Sequence, residues 1–319
     1  MTSPPQSGRV PELSIGLPVH NGENYLESAL ESLLGQEGVD LEVVAVDNGS
    51  VDRTPEILER FARADPRLRV ERSEANRGAA WSFNRTFELS RGRFFSWSAH
   101  DDIYEPEFSR RCLDRLEADP GLSVVVSEAV MIDDRGRVKG PLESYRGSVS
   151  ADPVRRGLDI MFGARWCLHV FGVSRRETLA RTRLIGAYPS SDMTTLFELA
   201  LEGRFGLVPD VLFLNREHPG RSMRAHGDSP RDRDAWFDPD RAGRNTLPRW
   251  RLLVEYERSI RRSELSGRDK ARLRARLPLW ALDSHNRRTL AAELAGWVLR
   301  SLHLSGPVGR LVDRRRSGV

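Results

Sequence analysis

The chain has 319 residues, 39% hydrophobic and 30% charged, which excludes a disordered or fibrous protein and allows one large core or two small ones. It contains no run of about 18 apolar residues, so a membrane-spanning helix is excluded. The formal net charge of +4 hides a division, because residues 241–319 carry 19 Lys+Arg against 7 Asp+Glu while the remainder carries 31 against 39. A basic C-terminal end suits a negatively charged partner: anionic lipid, a phosphorylated acceptor or nucleic acid.

Residues 1–11 are polar and Pro-rich, lack the apolar centre of a secretory signal, and read as a disordered lead-in. The two cysteines, Cys112 and Cys167, form neither a metal or redox spacing nor a disulfide framework, which points to a reducing, cytoplasmic setting. Residues 13–18 predict a strand, and 23–35 a helix with Leu26, Ala29, Leu30, Leu33 and Leu34 at helical spacing. The nearly continuous apolar run 41–46 predicts a strand covered on both faces. Helix 54–64, strand 68–71, helix 79–90, strand 94–98, helix 106–118 and strand 123–126 follow. Such alternation specifies an α/β fold with a mainly parallel sheet, whose ligands bind at the C-terminal strand ends. His20-Asn21, Asp47-Asn48 and Asp101-Asp102 stand at three of those ends and face one crevice. Residues 135–152 read as an irregular loop, 228–248 as a linker, and 249–263, 267–282 and 287–304 as helices.

Four ordered segments carry a resemblance. They are Pro18-Val19-His20-Asn21-Gly22-Glu23-Asn24-Tyr25-Leu26, Val46-Asp47-Asn48-Gly49-Ser50-Val51-Asp52, Asn76-Arg77-Gly78 with Asn84, and Ser98-Ala99-His100-Asp101-Asp102 with Pro106. Over residues 12–222 the chain resembles family-2 inverting glycosyltransferases. The resemblance implies the GT-A fold, a Rossmann-like, mainly parallel central sheet flanked by helices, with a C-terminal helical extension over 249–319. A nucleotide-binding half would span about 12–127 and an acceptor half about 128–227.

The resemblance also implies roles. Asp47 would accept a hydrogen bond from the imide N–H of uracil or thymine, since a carboxylate offers only acceptors; the alternative is an Asp capping its own loop. His20 stands where the family often has an aromatic ring beside the base, although a solvent-facing loop histidine reads the same. Arg77 would reach the diphosphate or lie on the surface. The implied donor set further includes Pro18, Asn21, Glu23, Asn48, Ser50, Asn76, Gly78, Asn84, His100, Asp101, Arg216, Arg221 and Ser222. Asp101 and Asp102 would hold Mg²⁺ or Mn²⁺ on the leaving diphosphate. Because Ala99 replaces an acid common in the family, His218 is the candidate for the missing ligand, against an ordinary His-Pro-Gly turn. Asp192 would be the base that deprotonates the acceptor hydroxyl, or a helix N-cap, or both. Trp166, Phe162 and Tyr188 lie near the acceptor region or pack in the core.

The implied reaction is inverting, metal-dependent transfer from a UDP- or dTDP-sugar to a hydroxyl on a glycan, lipid carrier or small molecule. Nucleotidyl transfer is the alternative enzyme, but Pro18-Val19-His20-Asn21 contains no Gly-rich phosphate loop. A degenerate sugar-nucleotide binding module is the non-enzyme alternative that Ala99 keeps open. The stripe Leu290, Leu294, Trp297, Val298 and Leu302 with Arg287, Arg288 and Arg300 would pack on its own domain or dock on an anionic membrane at the cytoplasmic face. No aromatic residues interleave with the basic ones in a nucleic-acid-reading pattern, so nucleic acid is not expected as a partner.

Overall fold

The computed structural model describes residues 10–142, 149–163, 167–221, 230–241 and 246–301. Its first half is a βα alternation: β1 (Leu13–Val19), α1 (Leu26–Leu34), β2 (Leu41–Asp47), α2 (Thr54–Ala64), β3 (Leu68–Arg72), α3 (Ala79–Leu89) and β4 (Phe94–Trp97). Every residue of β1 and β2 is buried, as the apolar sequence of strands covered on both faces requires. Side chains alternate across the sheet, so Leu13, Ile15, Leu17 and Val19 join one core with Leu26, Leu30 and Leu33 of α1 and Leu58 of α2. On the other face Gly16 admits α3, where a Cβ would stand 2.4 Å from Thr86 Oγ1. Buried Glu42 in β2 accepts from Ser14 Oγ at 2.7 Å and pairs with Arg69 and Arg91, both at 2.9 Å, at the strand end away from the crevice.

The second half is β5 (Ile103–Tyr104), α4 (Phe108–Ala118), β6 (Leu122–Ile132), β7 (Val138–Leu142), α5 (Pro153–Gly163), β8 (Val173–Arg175), α6 (Arg176–Arg181), α7 (Ser191–Glu202) and β9 (Arg204–Arg216). The nine strands run β3-β2-β1-β4-β8-β6-β9-β5, with β7 paired to β6. β3, β2, β1 and β4 are parallel, as are β6 and β9, while β8 lies antiparallel between the two groups. The expected mainly parallel α/β sheet is thus present, with short antiparallel strands added. β5, β7 and β8 have two, five and three residues, too few for a periodic signal. β7 falls inside the stretch read as an irregular loop, and residues 143–148 of that stretch lie outside the described residues.

Residues 228–248, read as a linker, carry helix α8 (Pro230–Phe237). Four helices follow: α9 (Pro248–Arg262), α10 (Gly267–Arg274), α11 (Leu277–Leu282) and α12 (Ser284–Ser301). Leu252, Tyr256, Ile260, Leu273 and Trp280 share a second core with Phe95, Trp97, Ile160, Phe197 and Leu201. Trp280 donates its indole N–H to the Met161 carbonyl at 3.0 Å, and Arg183 joins Glu198 of α7 to Glu255 of α9. In α12 the apolar stripe divides: Leu290 is 5% exposed, whereas Leu294 and Val298 are 45% and 40% exposed. Among the described residues, no helix is long and apolar enough to cross a membrane.

Candidate active site

The ends of β1 and β2, the loop after β4 and the segment after β9 meet at one cavity of about 1520 Å³. A site for one small ligand ordinarily occupies about 300–1,000 Å³, and this cavity is larger than that.

At the floor, the loop after β4 is fastened to β9 through Asp102. Asn215 Nδ2 donates to both its oxygens at 3.0 Å, and the Arg216 backbone N–H donates to Oδ1 at 2.8 Å. Arg216 Nε then donates to the Asp101 carbonyl at 2.8 Å, which fixes the neighbouring residue. Burial, reinforced by the negative charge of Asp101, pushes the Asp102 carboxyl up to about 8. Asp101 turns its own carboxylate to His218, whose Nε2 lies 2.8 Å from Oδ2. The His218 ring packs at 4.5 Å on Tyr25, and the Arg216 guanidinium sits 4.8 Å from the same ring. His100 packs on Gly22, where a Cβ would come within 2.8 Å of its ring, and burial pushes its pKa down.

Among the described residues no group of three or more His, Cys, Asp or Glu side chains is arranged to hold a metal. The donors present are the Asp101 carboxylate, His218 Nε2 and the buried Asn215 Oδ1, which has no hydrogen-bond partner. This set fits a hard divalent ion that draws the rest of its shell from phosphate and water, and does not fit a closed structural site.

The second and third motifs are joined through two amides. Asn48 donates to Asn76 Oδ1 at 3.0 Å and to the Gly78 carbonyl at 3.1 Å, and its Oδ1 accepts the Arg77 N–H at 2.9 Å. Gly78 needs to be glycine twice over: its φ is +86°, and a Cβ would stand 2.4 Å from the Phe237 carbonyl of α8. Asp47 is buried, accepts the Ser50 N–H at 2.9 Å, and has Oδ2 3.2 Å from Arg72 Nε without an aligned hydrogen bond.

Asp192 sits in the first turn of α7. Ser190, at φ +64°, occupies the N-cap position, so Asp192 lies inside the helix and does not cap it. Its Oδ1 accepts the Met193 N–H at 2.9 Å, and Cys167 lies beside it. Burial raises the Asp192 pKa above the ordinary carboxylate value.

The sequence-derived residues therefore fall into three groups. Pro18, His20, Asn21, Asn48, Asn76, His100, Asp101, Asp102, Asp192, His218 and Arg221 line the cavity together. Glu23, Asp47, Ser50, Arg77, Gly78, Asn84 and Arg216 stand outside that lining. Glu23 accepts the Arg53 N–H, the Ser50 hydroxyl accepts the Asn21 N–H, Arg77 stacks on Trp81, and Asn84 exchanges two hydrogen bonds with the Ile185 backbone. Ser222 and Trp166 lie outside the described residues. Of the acceptor-side aromatics, Phe162 lines the cavity, while Tyr188 is buried and hydrogen-bonded to Thr194 at 2.6 Å. Periodicity did not single out Asn215, nor Arg249, Tyr256 and Trp280 of the C-terminal helices, all of which line the cavity. Only Asn215, bordering a motif already noticed, had a sequence signal.

Residues 14–168 match the family model described as glycosyl transferase family 2. The chain is 33% identical over 135 residues to the succinoglycan biosynthesis protein ExoO of Rhizobium meliloti (strain 1021), covering 42% of this chain and 38% of that protein. It is 35% identical over 130 residues to chondroitin synthase of Escherichia coli, covering 41% of this chain and 19% of that protein. The aligned segment thus spans well under half the length of either relative. Among solved structures, S. aureus TarS 1–349 in complex with UDP-GlcNAc superposes with a TM-score of 0.63 at 16% identity, over 90% of this chain and 81% of that one. The match to glycosyl transferase family 2 thus rests on residues 14–168, just under half of the chain, and the fold that carries them is GT-A.

Proposed function

We propose that the protein is an inverting glycosyltransferase that moves a sugar from a UDP- or dTDP-type donor to a hydroxyl of a glycan acceptor. The observation that carries this reading is the shared cavity, which strand-end residues of the family motifs and Asp192 line together. The solved relative TarS binds UDP-GlcNAc, and the curated relatives are named for polysaccharide synthesis, which favours a nucleotide-sugar donor and a glycan acceptor. Asp101 and His218, with Asn215 Oδ1, would hold Mg²⁺ or Mn²⁺, which when bound neutralises charge on the departing diphosphate. Asp192 takes the proton of the attacking acceptor hydroxyl. Attack from the face opposite the diphosphate inverts the anomeric centre. Asp102 acts through position, holding the Asp101 loop against β9.

The experiment is a thermal-shift titration with UDP-sugars and dTDP-sugars, with and without Mn²⁺, followed by nucleotide release in the presence of glycan acceptors. A ligand bound to the folded state raises the midpoint by mass action. In Asp101→Ala and His218→Ala, the part of the UDP-induced shift that depends on Mn²⁺ is expected to disappear. A full Mn²⁺-dependent shift in both variants would remove the metal assignment.

The setting we propose is the cytoplasmic face of an anionic membrane. Its support is the end of α12, where exposed Leu294 and Val298 share a helical face with exposed Arg287. Co-sedimentation with phosphatidylglycerol vesicles is expected, and should be lost in the Leu294→Glu/Val298→Glu double variant. Absence of wild-type sedimentation would discard this setting.

A further inference from the structure

The cavity does not end at Asp192. It continues to a wall made by the C-terminal helices, beyond the segment that matches the family, with Trp236 and Phe237 of α8, Arg249 and Tyr256 of α9, and Trp280 of α11. One group in this wall lacks the hydrogen-bond partner that burial normally demands, and a second, part-buried group is a cation held by neutral partners. The Tyr256 hydroxyl is buried and has no hydrogen-bond partner, although the residue is 0% exposed. Arg249 has no carboxylate within ion-pair distance among the described residues. Its guanidinium lies 4.8 Å from the Trp280 ring and donates through Nε to Asn286 Oδ1 at 2.9 Å, a neutral acceptor.

The neighbouring acids are otherwise engaged: Glu293 accepts the Arg249 backbone N–H at 3.0 Å, and Asp283 accepts the His285 N–H at 3.1 Å. Burial pushes the Arg249 pKa down, outweighing the opposing influence of Tyr256, Glu293 and Asp283 nearby. A planar guanidinium braced on an indole and an amide is preorganised for bidentate contact with a carboxylate or phosphate. The part-exposed rings of Trp236 and Phe237, which line the same cavity, are of the kind on which sugar rings pack.

We propose that the C-terminal helices form the acceptor subsite and that Arg249 selects an acceptor carrying a negative charge, a uronic acid carboxylate or a sugar phosphate. This deepens the transferase reading and rests on it. Tyr256 supplies a hydroxyl to the same acceptor, and Asn286 holds the guanidinium in place.

The test is isothermal titration of the full chain with three probes. These are a β-glucuronide disaccharide, its carboxyl-reduced neutral counterpart, and that neutral disaccharide bearing a 6-phosphate. At least one anionic probe is expected to bind about 10-fold or more tightly than the neutral one, the ordinary worth of a charged hydrogen bond. Which anionic probe binds identifies the charge. Arg249→Gln should reduce the ratio to near one, and Arg249→Lys should restore part of it; unfolding curves check that both variants fold. Equal binding of all three probes by the wild-type protein, or no binding of any, overturns the proposal whatever the variants do. So does an unchanged ratio in Arg249→Gln. UDP binding is measured separately on the wild-type protein, so loss of the transferase reading would be seen as absence of UDP binding, independently of the acceptor result.

Discussion

Asp192→Asn is expected to lower sugar transfer by about 100- to 10,000-fold, the usual contribution of a positioned general base, while UDP-sugar binding stays within about twofold of wild type. The substitution keeps the size of the side chain and its acceptor for the Met193 N–H, so α7 has no reason to shift. Because Ser190 rather than Asp192 stands at the N-cap, the loss would not be that of a helix cap. The pH profile supplies a second readout. A base must be ionised, and burial has raised the Asp192 pKa, so activity should fall with decreasing pH earlier than an ordinary aspartate, with a reference pKa of about 3.9, would dictate. That acid limb should vanish from the residual activity of the variant. Transfer by Asp192→Asn at the wild-type rate would remove the residue from the mechanism.

The second large effect concerns stability. Trp280→Ala should cost about 3–5 kcal/mol, as removal of a fully buried large aromatic does. Trp280 is 1% exposed, meets Tyr256 edge-on at 5.6 Å, and ties α11 to α5 through its bond to Met161. Folded domains are stable by roughly 5–15 kcal/mol, so this one change would consume a large share of the margin. Urea denaturation followed by circular dichroism measures it. A midpoint unchanged from wild type would mean that the C-terminal helices do not share the core described above.

The legibility of the chain follows how local each signal is. β1, β2 and α2 are readable because seven buried residues in succession, or Ile57 and Leu58 facing inward on an otherwise polar helix, leave a pattern within one short window. The strand-end residues are readable because each sits just after such a strand. β8 is not, since Val173–Arg175 is a strand only through its neighbours β4 and β6. Arg216 illustrates the converse limit. Its place after a strand suggests a phosphate ligand, yet its guanidinium is turned into the protein, bonded to the carbonyls of Asp101 and Asp133. Nothing in the residues around 216 encodes that choice, which depends on a loop more than 100 positions earlier. Arg249 is hidden for the same reason: it reads as one of many arginines until Trp280 and Asn286, about 30 residues on, are folded against it.

Gly78 seats the end of α8, where a Cβ would meet both the Phe237 carbonyl and Pro239, and this bears on how such a protein can be re-engineered. The strand-end residues from Pro18 to Asp102 lie within residues 14–168, whereas Asn215 and His218, and then Arg249, Tyr256 and Trp280, come from segments that the family model does not reach. On the proposed reading, a graft that exchanges residues 246–301 for the corresponding helices of a related protein, leaving α8 and its seat over Gly78 in place, would change what the far wall recognises while the strand-end side keeps its native geometry.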